Sequence, residues 1–238
     1  MVSVLESSDW GKNALVLAKN VHLLDKSKPA FIHMRHSERP PMELNKETFE
    51  MPLSPRGEKA AYEFGHQLPN NRHYHFYHTD VDRTKKTAEM IQQGIQENGG
   101  ASEVVDEIPL FTMLDYEKGG KILRELNIPD DTLRAKTIFY RWISGIFPPD
   151  IIKPCLDFSR EAASMMLKTL DVAEPSDVFV WVTHENWIAA FLMHWLGEWE
   201  FGWVPFLDGF TFQTYDNYMS VYFRGEENKL KYPYWWKK

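Results

Sequence analysis

Hydrophobic and polar positions follow two different periods along the 238-residue chain. Short apolar or alternating runs predict strands, and apolar residues that recur every three or four positions predict helices. Strands are expected at 30–34, 73–78, 103–108 and 177–182, with two more between 206 and 223. Helices are expected at 9–24, 54–68, 82–97, 131–145, 158–170 and 184–196. Strands and helices therefore alternate along most of the chain.

The predicted helices have residues at their ends that typically start or stop a helix. Asp9 is a candidate cap for the first helix, and Ser54 for the second, where Pro55 occupies the first helical position. The helix at 82–97 is followed by Asn98-Gly99-Gly100, a sequence typical of a helix end.

The alternation of strands and helices favours an α/β fold, a three-layer sandwich whose mainly parallel central sheet is flanked by helices on both faces. No internal repeat, low-complexity segment or Gly/Ser linker divides the sequence, so residues 1–238 are expected to form a single domain. The segment 111–158 contains a Gly-Gly break and a Pro-rich stretch. We expect it to form an insertion that caps the crevice at the sheet edge.

Composition narrows the function classes. A hydrophobic content of 43% and a charged content of 26% are typical of a soluble globular protein. The net charge of −7 and the pI of about 5.7 argue against a nucleic-acid partner. No apolar run is long enough to cross a bilayer, and the acidic N-terminal residues are untypical of a signal peptide. The single cysteine, Cys155, excludes an internal disulfide and indicates a reducing compartment, the cytoplasm.

Candidate chemistry lies where three predicted strands end. In a parallel sheet, ligands bind beyond the carboxyl ends of the strands, so residues that follow different strands meet in one crevice. Arginine forks match phosphate oxygens, and a histidine between them would be held close to a phosphorus atom. The residues placed there are Arg35, His36, Arg39, Arg83, His184 and Glu185. The pattern predicts a phosphoryl-binding site.

Four segments, in order along the chain, make the sequence similar to the histidine phosphatase superfamily, which includes the cofactor-dependent phosphoglycerate mutases. They are MRHSERP at 34–40, LSPRGEKAAYEFG at 53–65, HTDVDRTKKTAEMI at 78–91 and VTHENWIAAFL at 182–192. The resemblance implies a phosphoglycerate mutase-like fold and phosphoryl-transfer chemistry on a histidine.

Two details resemble the acid phosphatase and phytase branch of that superfamily. Its R-H-G-x-R-x-P motif is matched by Arg35, His36, Arg39 and Pro41, with Ser37 in place of the glycine. Its acid directly after the second histidine is matched by Glu185. The present chain is more compact than members of that branch and carries one cysteine.

The proton donor is left open between two positions. The mutase branch takes its acid from the segment after the third strand, which here offers Asp115 and Glu117. Glu185 is the first choice and Asp115 the alternative.

The resemblance implies that His36 attacks phosphorus to form a phosphohistidine, which water then hydrolyses. Arg35, Arg39, Arg83 and His184 would bind the phosphoryl oxygens, and Glu185 would protonate the leaving group. Arginines would neutralise the charge, so no metal and no cofactor are expected. The predicted function is a metal-independent phosphomonoesterase acting on a small phosphate ester or other phosphorylated substrate. The sequence indicates neither the particular substrate nor the oligomeric state.

Two other functions are kept as alternatives. One is a phosphoglycerate-mutase-like phosphotransferase, and the other is a catalytically silent module that binds phosphorylated ligands. The histidines of the 73–78 strand suggest a metal site, but no cysteine or well-spaced carboxylate completes a ligand set in the sequence, so partly exposed strand histidines are favoured.

Overall fold

The computed structural model describes residues 2–41, 51–111, 126–197 and 203–236. Its helices are α1 (Val4–Ser7), α2 (Gly11–Leu23), α3 (Pro55–Gln67), α4 (Asp82–Glu97), α5 (Asp131–Ile143), α6 (Cys155–Asp171) and α7 (Glu185–Phe191). Its strands are β1 (Ala30–Arg35), β2 (His73–His78), β3 (Ala101–Glu107), β4 (Asp177–Thr183), β5 (Gly209–Thr214), β6 (Met219–Phe223) and β7 (Glu226–Leu230). A 3₁₀ turn, Pro109–Phe111, follows β3, and a π-helical turn, Leu192–Leu196, continues α7.

The strands form one seven-stranded sheet in the order β3-β2-β4-β1-β5-β6-β7. Three pairs are parallel: β3 with β2, β2 with β4, and β4 with β1. The other three are antiparallel: β1 with β5, β5 with β6, and β6 with β7. Parallel neighbours need long crossovers, which the helices supply, whereas antiparallel neighbours can be joined by short turns. The predicted α/β class is confirmed, with a parallel half that carries the predicted site and an antiparallel half formed by the tail.

Apolar side chains fill both faces of this sheet. On one face α2, α3 and α4 bury Leu17, Phe64 and Ile91 against the sheet. On the other face α6 and α7 bury Met166 and Ile188. The helices therefore form the two outer layers of the predicted sandwich. No helix among the described residues has the length and apolar character needed to span a membrane.

The N-terminal helix differs from its prediction. The chain forms two helices, α1 and α2, and they pack closely at Gly11, where a Cβ atom would be 2.0 Å from the Leu5 carbonyl oxygen. Trp10 occupies the N-cap position of α2, and no side chain caps that helix. The prediction that Asp9 caps it is therefore wrong.

The polar strand β7 was not predicted. Arg224 and Gly225 have φ values of 49° and 88°, the left-handed conformation that a two-residue hairpin turn requires. The turn brings Glu226–Leu230 against β6 at the sheet edge. Because both faces of β7 are largely exposed, its sequence lacks the apolar alternation by which a half-buried strand is recognised.

The described part of the predicted insertion, residues 126–158, contains α5. Phe139 and Trp142 of α5 are buried in the same core as Phe158 and Trp187. The indole rings of Trp142 and Trp187 pack edge to face, with centroids 5.0 Å apart. Trp187 belongs to α7, so α5 is fixed against the helix that begins with Glu185.

Candidate active site

The carboxyl ends of β1, β2 and β4 meet at one edge of the sheet. Arg35 is in register with Thr183, and the backbone N–H of His36 donates to the Thr183 carbonyl oxygen at 2.9 Å. On the other side, the N–H of Arg35 donates to the Asp208 carbonyl oxygen at 2.9 Å. Backbone pairing with both neighbouring strands therefore fixes the Arg-His pair.

The two ring nitrogens of His36 have partners of opposite character. Nδ1 lies 2.7 Å from the Ser37 carbonyl oxygen, which can only accept a hydrogen bond. Nε2 lies 3.1 Å from Nε of Arg83, which can only donate. These partners assign the proton to Nδ1 and an unprotonated lone pair to Nε2.

His36 is also held in its neutral form. Its side chain is buried, with 1% of the residue exposed. Burial, followed by the charges of Arg83 and Arg35 and the proximity of His184, lowers the pKa of His36 well below its ordinary value. At neutral pH Nε2 therefore keeps an unprotonated lone pair, which accepts the hydrogen bond from Arg83.

Arg83 connects the two histidines. It lies in the first turn of α4 and is 5% exposed. Its Nη2 lies 3.4 Å from Nδ1 of His184, and its Nε donates to His36. One guanidinium group therefore lies between the two rings.

His184 occupies the N-cap position of α7, and its ring centroid lies 5.2 Å from that of His36. Nε2 of His184 lies 3.3 Å from Oγ1 of Thr79. Burial, together with Arg83, Arg35 and Arg39, lowers the pKa of His184 well below its ordinary value. Both histidines are therefore neutral, and the positive charge of the site is carried by arginines.

Arg35 and Glu185 form an ion pair, with Nε and Oε2 3.0 Å apart. Nη1 of Arg35 also donates to the Val204 carbonyl oxygen at 2.7 Å, and its guanidinium lies 4.3 Å from the centre of the Phe206 ring. The Glu185 side chain is 13% exposed. Glu185 thus holds the Arg35 guanidinium group at the carboxyl end of β1.

Arg39 is bound by a residue that the sequence did not indicate. Its Nη1 lies 3.2 Å from Oδ2 of Asp131, the first residue of α5, and donates to the Pro40 carbonyl oxygen at 2.9 Å. Asp131 is also paired with Arg134. In the sequence Asp131 reads only as an acidic residue at a helix start, so its contact with a residue 92 positions away could not be predicted.

Ser37, which replaces the glycine of the branch motif, supports the loop that carries His36. It is fully buried, its Oγ donates to the Gly57 carbonyl oxygen at 2.7 Å, and its N–H donates to Oγ1 of Thr87 at 3.0 Å. These bonds connect the loop to α3 and α4.

Of the predicted site residues, five lie within this arrangement: Arg35, His36, Arg83, His184 and Glu185. Arg39 lies at its border with α5. The alternative proton donor, Asp115, and Glu117 lie outside the described residues.

The arrangement suits an anion better than a cation. Ligand atoms of His36, His184 and Glu185 lie within 4.8 Å of one another, which would also fit a metal ion. Arg83, however, lies against both histidines and Arg35 against Glu185, so a cation there would face two guanidinium groups. A phosphoryl group would instead gain charge-assisted hydrogen bonds from them.

No protein-family model matches the sequence, and no curated protein matches it. Solved structures do resemble it. An Escherichia coli K-12 protein assigned as an alpha-ribazole-5'-P phosphatase has a TM-score of 0.52 at 14% identity, covering 86% of this chain and 96% of its own. A mycobacterial glucosyl-3-phosphoglycerate phosphatase, in complex with inorganic phosphate, has a TM-score of 0.51 at 14% identity, covering 84% of this chain and 94% of its own. Mycobacterial hydrolase 2 has a TM-score of 0.50 at 13% identity, covering 81% of this chain and 82% of its own.

These similarities establish the fold. The chain has a phosphoglycerate mutase-like fold, as the four sequence segments predict. The three similar structures are assigned as two phosphatases and a hydrolase.

Proposed function

We propose that this protein is a metal-independent phosphomonoesterase that acts through a phosphohistidine on His36. The observation that carries the proposal is the pair of hydrogen bonds to the His36 ring. Ser37 accepts from Nδ1 and Arg83 donates to Nε2, so Nε2 carries a lone pair that is directed at the Arg83 guanidinium group.

When substrate binds, a phosphoryl oxygen would replace the His36 ring as the partner of the Arg83 Nε–H. A phosphoryl oxygen attracts the Nε–H of Arg83 more strongly than a neutral imidazole does, because that hydrogen bond joins two charged groups. Arg83 would then bind the phosphoryl group and leave Nε2 of His36 free to attack. Arg35 and Arg39 would bind the remaining oxygens and oppose the charge of the transition state.

In the first step, Nε2 of His36 forms a bond to phosphorus while the ester P–O bond breaks. The imidazole gains positive charge, and its Nδ1–H donates to the Ser37 carbonyl, which stabilises that charge. In the second step, water attacks phosphorus and the P–N bond breaks, which returns neutral His36 and inorganic phosphate. Splitting the displacement in two lowers each barrier.

Glu185 is the proposed proton donor. In the described state its carboxylate is paired with Arg35 at 3.0 Å. A phosphoryl group that binds Arg35 would replace this ion pair and bring the Glu185 carboxyl group next to the ester. Asp115 is the alternative donor.

We further propose that the substrate is a small phosphate ester. We propose that residues 1–238 form one domain and that α5 belongs to a cap over the crevice, since Asp131 of α5 is paired with Arg39. We also propose a cytoplasmic location, because the one cysteine, Cys155, is free and buried.

The proposal is tested by hydrolysis of aryl phosphates in the presence of a chelator. Wild-type protein should release phosphate, and His36→Ala should lose activity by about 10⁴-fold or more because it lacks the nucleophile. Glu185→Gln should lose about 10²-fold with a poor leaving group and little with a good one, because only a poor leaving group needs the proton.

The matched control is His22→Ala, which removes an exposed histidine whose ring contacts the Gln67 carbonyl. This variant should keep wild-type activity. Full activity in His36→Ala would refute the proposal. Turnover that appears only with an added alcohol acceptor would instead identify a phosphotransferase. An equal loss of activity in Glu185→Gln for all leaving groups would show that another residue is the proton donor.

A further inference from the structure

A second cluster of chemically active side chains lies on the sheet face near the amino end of β2, away from the candidate active site. The sequence shows His73 and His75 two positions apart on one face of a strand. Strand pairing adds what the sequence could not show: Glu103 of β3 is in register with His75, and Asp177 of β4 is in register with His73.

The side chains of this cluster approach one another closely. The rings of His73 and His75 have centroids 4.2 Å apart. Ligand atoms of His73, His75 and Glu103 all lie within 4.8 Å of one another. Nδ1 of His75 is 2.8 Å from Oε1 of Glu103, and its Nε2 is 3.1 Å from Oδ1 of Asp177.

We propose that His73, His75 and Glu103 bind a divalent transition-metal ion, with Zn²⁺ as its simplest representative. Two imidazole nitrogens and one carboxylate oxygen are ligands that zinc takes at about 2.0–2.2 Å, which places neighbouring ligand atoms roughly 3.3 Å apart in a tetrahedral site. The observed separations reach this spacing with small side-chain rotations. Water can occupy the fourth position because the Glu103 side chain is 55% exposed.

The position of Asp177 supports a metal site. A histidine that binds metal through one nitrogen usually donates its other N–H to a carboxylate, which fixes the ring. Asp177 holds Nε2 of His75 in this way, and its other carboxylate oxygen accepts from the backbone N–H of Glu174 at 2.9 Å. The His75 ring also stacks on Phe179, with centroids 5.0 Å apart. Nδ1 of His75 is therefore presented toward His73 and Glu103.

A metal ion at this cluster would stabilise the fold and would take no part in the chemistry at His36. His75 precedes His78, at the site end of β2, by three residues, a distance of roughly 10 Å along the strand. A metal bound here would join edge strand β3 to β2.

The proposal is tested by titrating Zn²⁺ into chelator-treated, tag-free full-length protein by calorimetry, with thermal unfolding as a second readout. The wild type should bind one equivalent at this site and unfold at a higher temperature when zinc is present. His75→Ala should abolish that binding, and Glu103→Gln should weaken it about tenfold or more. Asp177→Asn, which keeps every direct ligand, should weaken it about 10- to 100-fold.

His66→Ala is the matched control and should bind zinc as the wild type does, since it removes a histidine outside the cluster. Glu103→Gln changes an exposed side chain, so its result does not depend on refolding of the core. Unchanged zinc affinity in both His75→Ala and Glu103→Gln would overturn the proposal. So would zinc binding that disappears only in His184→Ala, or no binding by the wild type at micromolar zinc.

Discussion

At the scale of single residues, the two hydrogen bonds of the His36 ring decide what that residue can do. A carbonyl on Nδ1 and a guanidinium on Nε2 select one tautomer, and burial beside cations keeps the ring neutral. Burial also keeps His184 and His33 neutral, and His33 is fully buried and hydrogen-bonded to Thr183 at 2.8 Å. Because these buried histidines stay neutral, the free energy of unfolding depends on pH.

The free energy of unfolding should fall as pH decreases from 6.5 to 5. Burial lowers the pKa of His33 to about 3, and those of His36 and His184 also lie well below the ordinary 6.5. The unfolded chain therefore binds protons near pH 6.5 that the native protein does not bind. The free energy of unfolding that these neutral histidines contribute is fully present above pH 6.5. It is lost below that pH, by up to about 1.36 kcal/mol per pH unit for each histidine.

Urea unfolding at a series of pH values measures this slope. His33→Gln should make the slope shallower by one proton, whereas His22→Gln, at an exposed position, should leave it unchanged. A free energy of unfolding that stays constant from pH 7 to pH 5 would show that these histidines are protonated in the native state.

At the scale of helices and strands, helix α3 supports the loop that follows the catalytic candidate. Ser54 caps α3 by accepting from the N–H of Gly57 at 2.9 Å, and its Oγ also lies 2.9 Å from Oε2 of Glu38. A Cβ atom on Gly57 would lie 2.1 Å from the Glu38 carbonyl oxygen, so the helix start and the loop are in direct contact. Ser54 therefore stabilises both.

Replacing Ser54 with alanine should destabilise the protein by about 1 kcal/mol, because a helix N–H loses its partner. Ser144→Ala is a suitable control, since this residue is exposed at the C-cap of α5 and its hydroxyl donates to the Tyr140 carbonyl oxygen. Chemical denaturation measures both variants. Equal stability of Ser54→Ala and wild type would show that the cap contributes nothing.

Local signals made parts of this fold predictable. The cap at Ser54, the glycines after α4 and the Arg-His pair at the end of β1 were all recognised from neighbouring residues. Two features without such a signal were not recognised: the contact of Gly11 with the Leu5 backbone, between α1 and α2, and the exposed strand β7. The pairing of Arg39 with Asp131 and the alignment of Glu103 with His75 depend on tertiary packing and strand register, which no single segment specifies.

At the scale of the whole molecule, charge is distributed unevenly. The chain carries a net charge of −7, yet three arginines converge at the carboxyl edge of the parallel strands. Arg35 and Arg39 are each paired with a carboxylate, and Arg83 lies between two neutral histidines. An entering phosphoryl group would replace these partners and supply the negative charge that pairs with the arginines. The opposite end of β2 carries the proposed metal ligands. The proposed anion site and the proposed cation site therefore lie at opposite ends of this strand.

The central claim is that phosphorus becomes bonded to His36, and rapid-quench trapping tests it most directly. Wild-type protein would be mixed with a labelled aryl phosphate that has a good leaving group, so that hydrolysis of the adduct limits the rate, and quenched in base. The account predicts an acid-labile phosphoryl group on the peptide that contains His36, formed at the rate of the initial burst and absent in His36→Ala. Turnover without any adduct on His36, or an adduct on another residue, would contradict it.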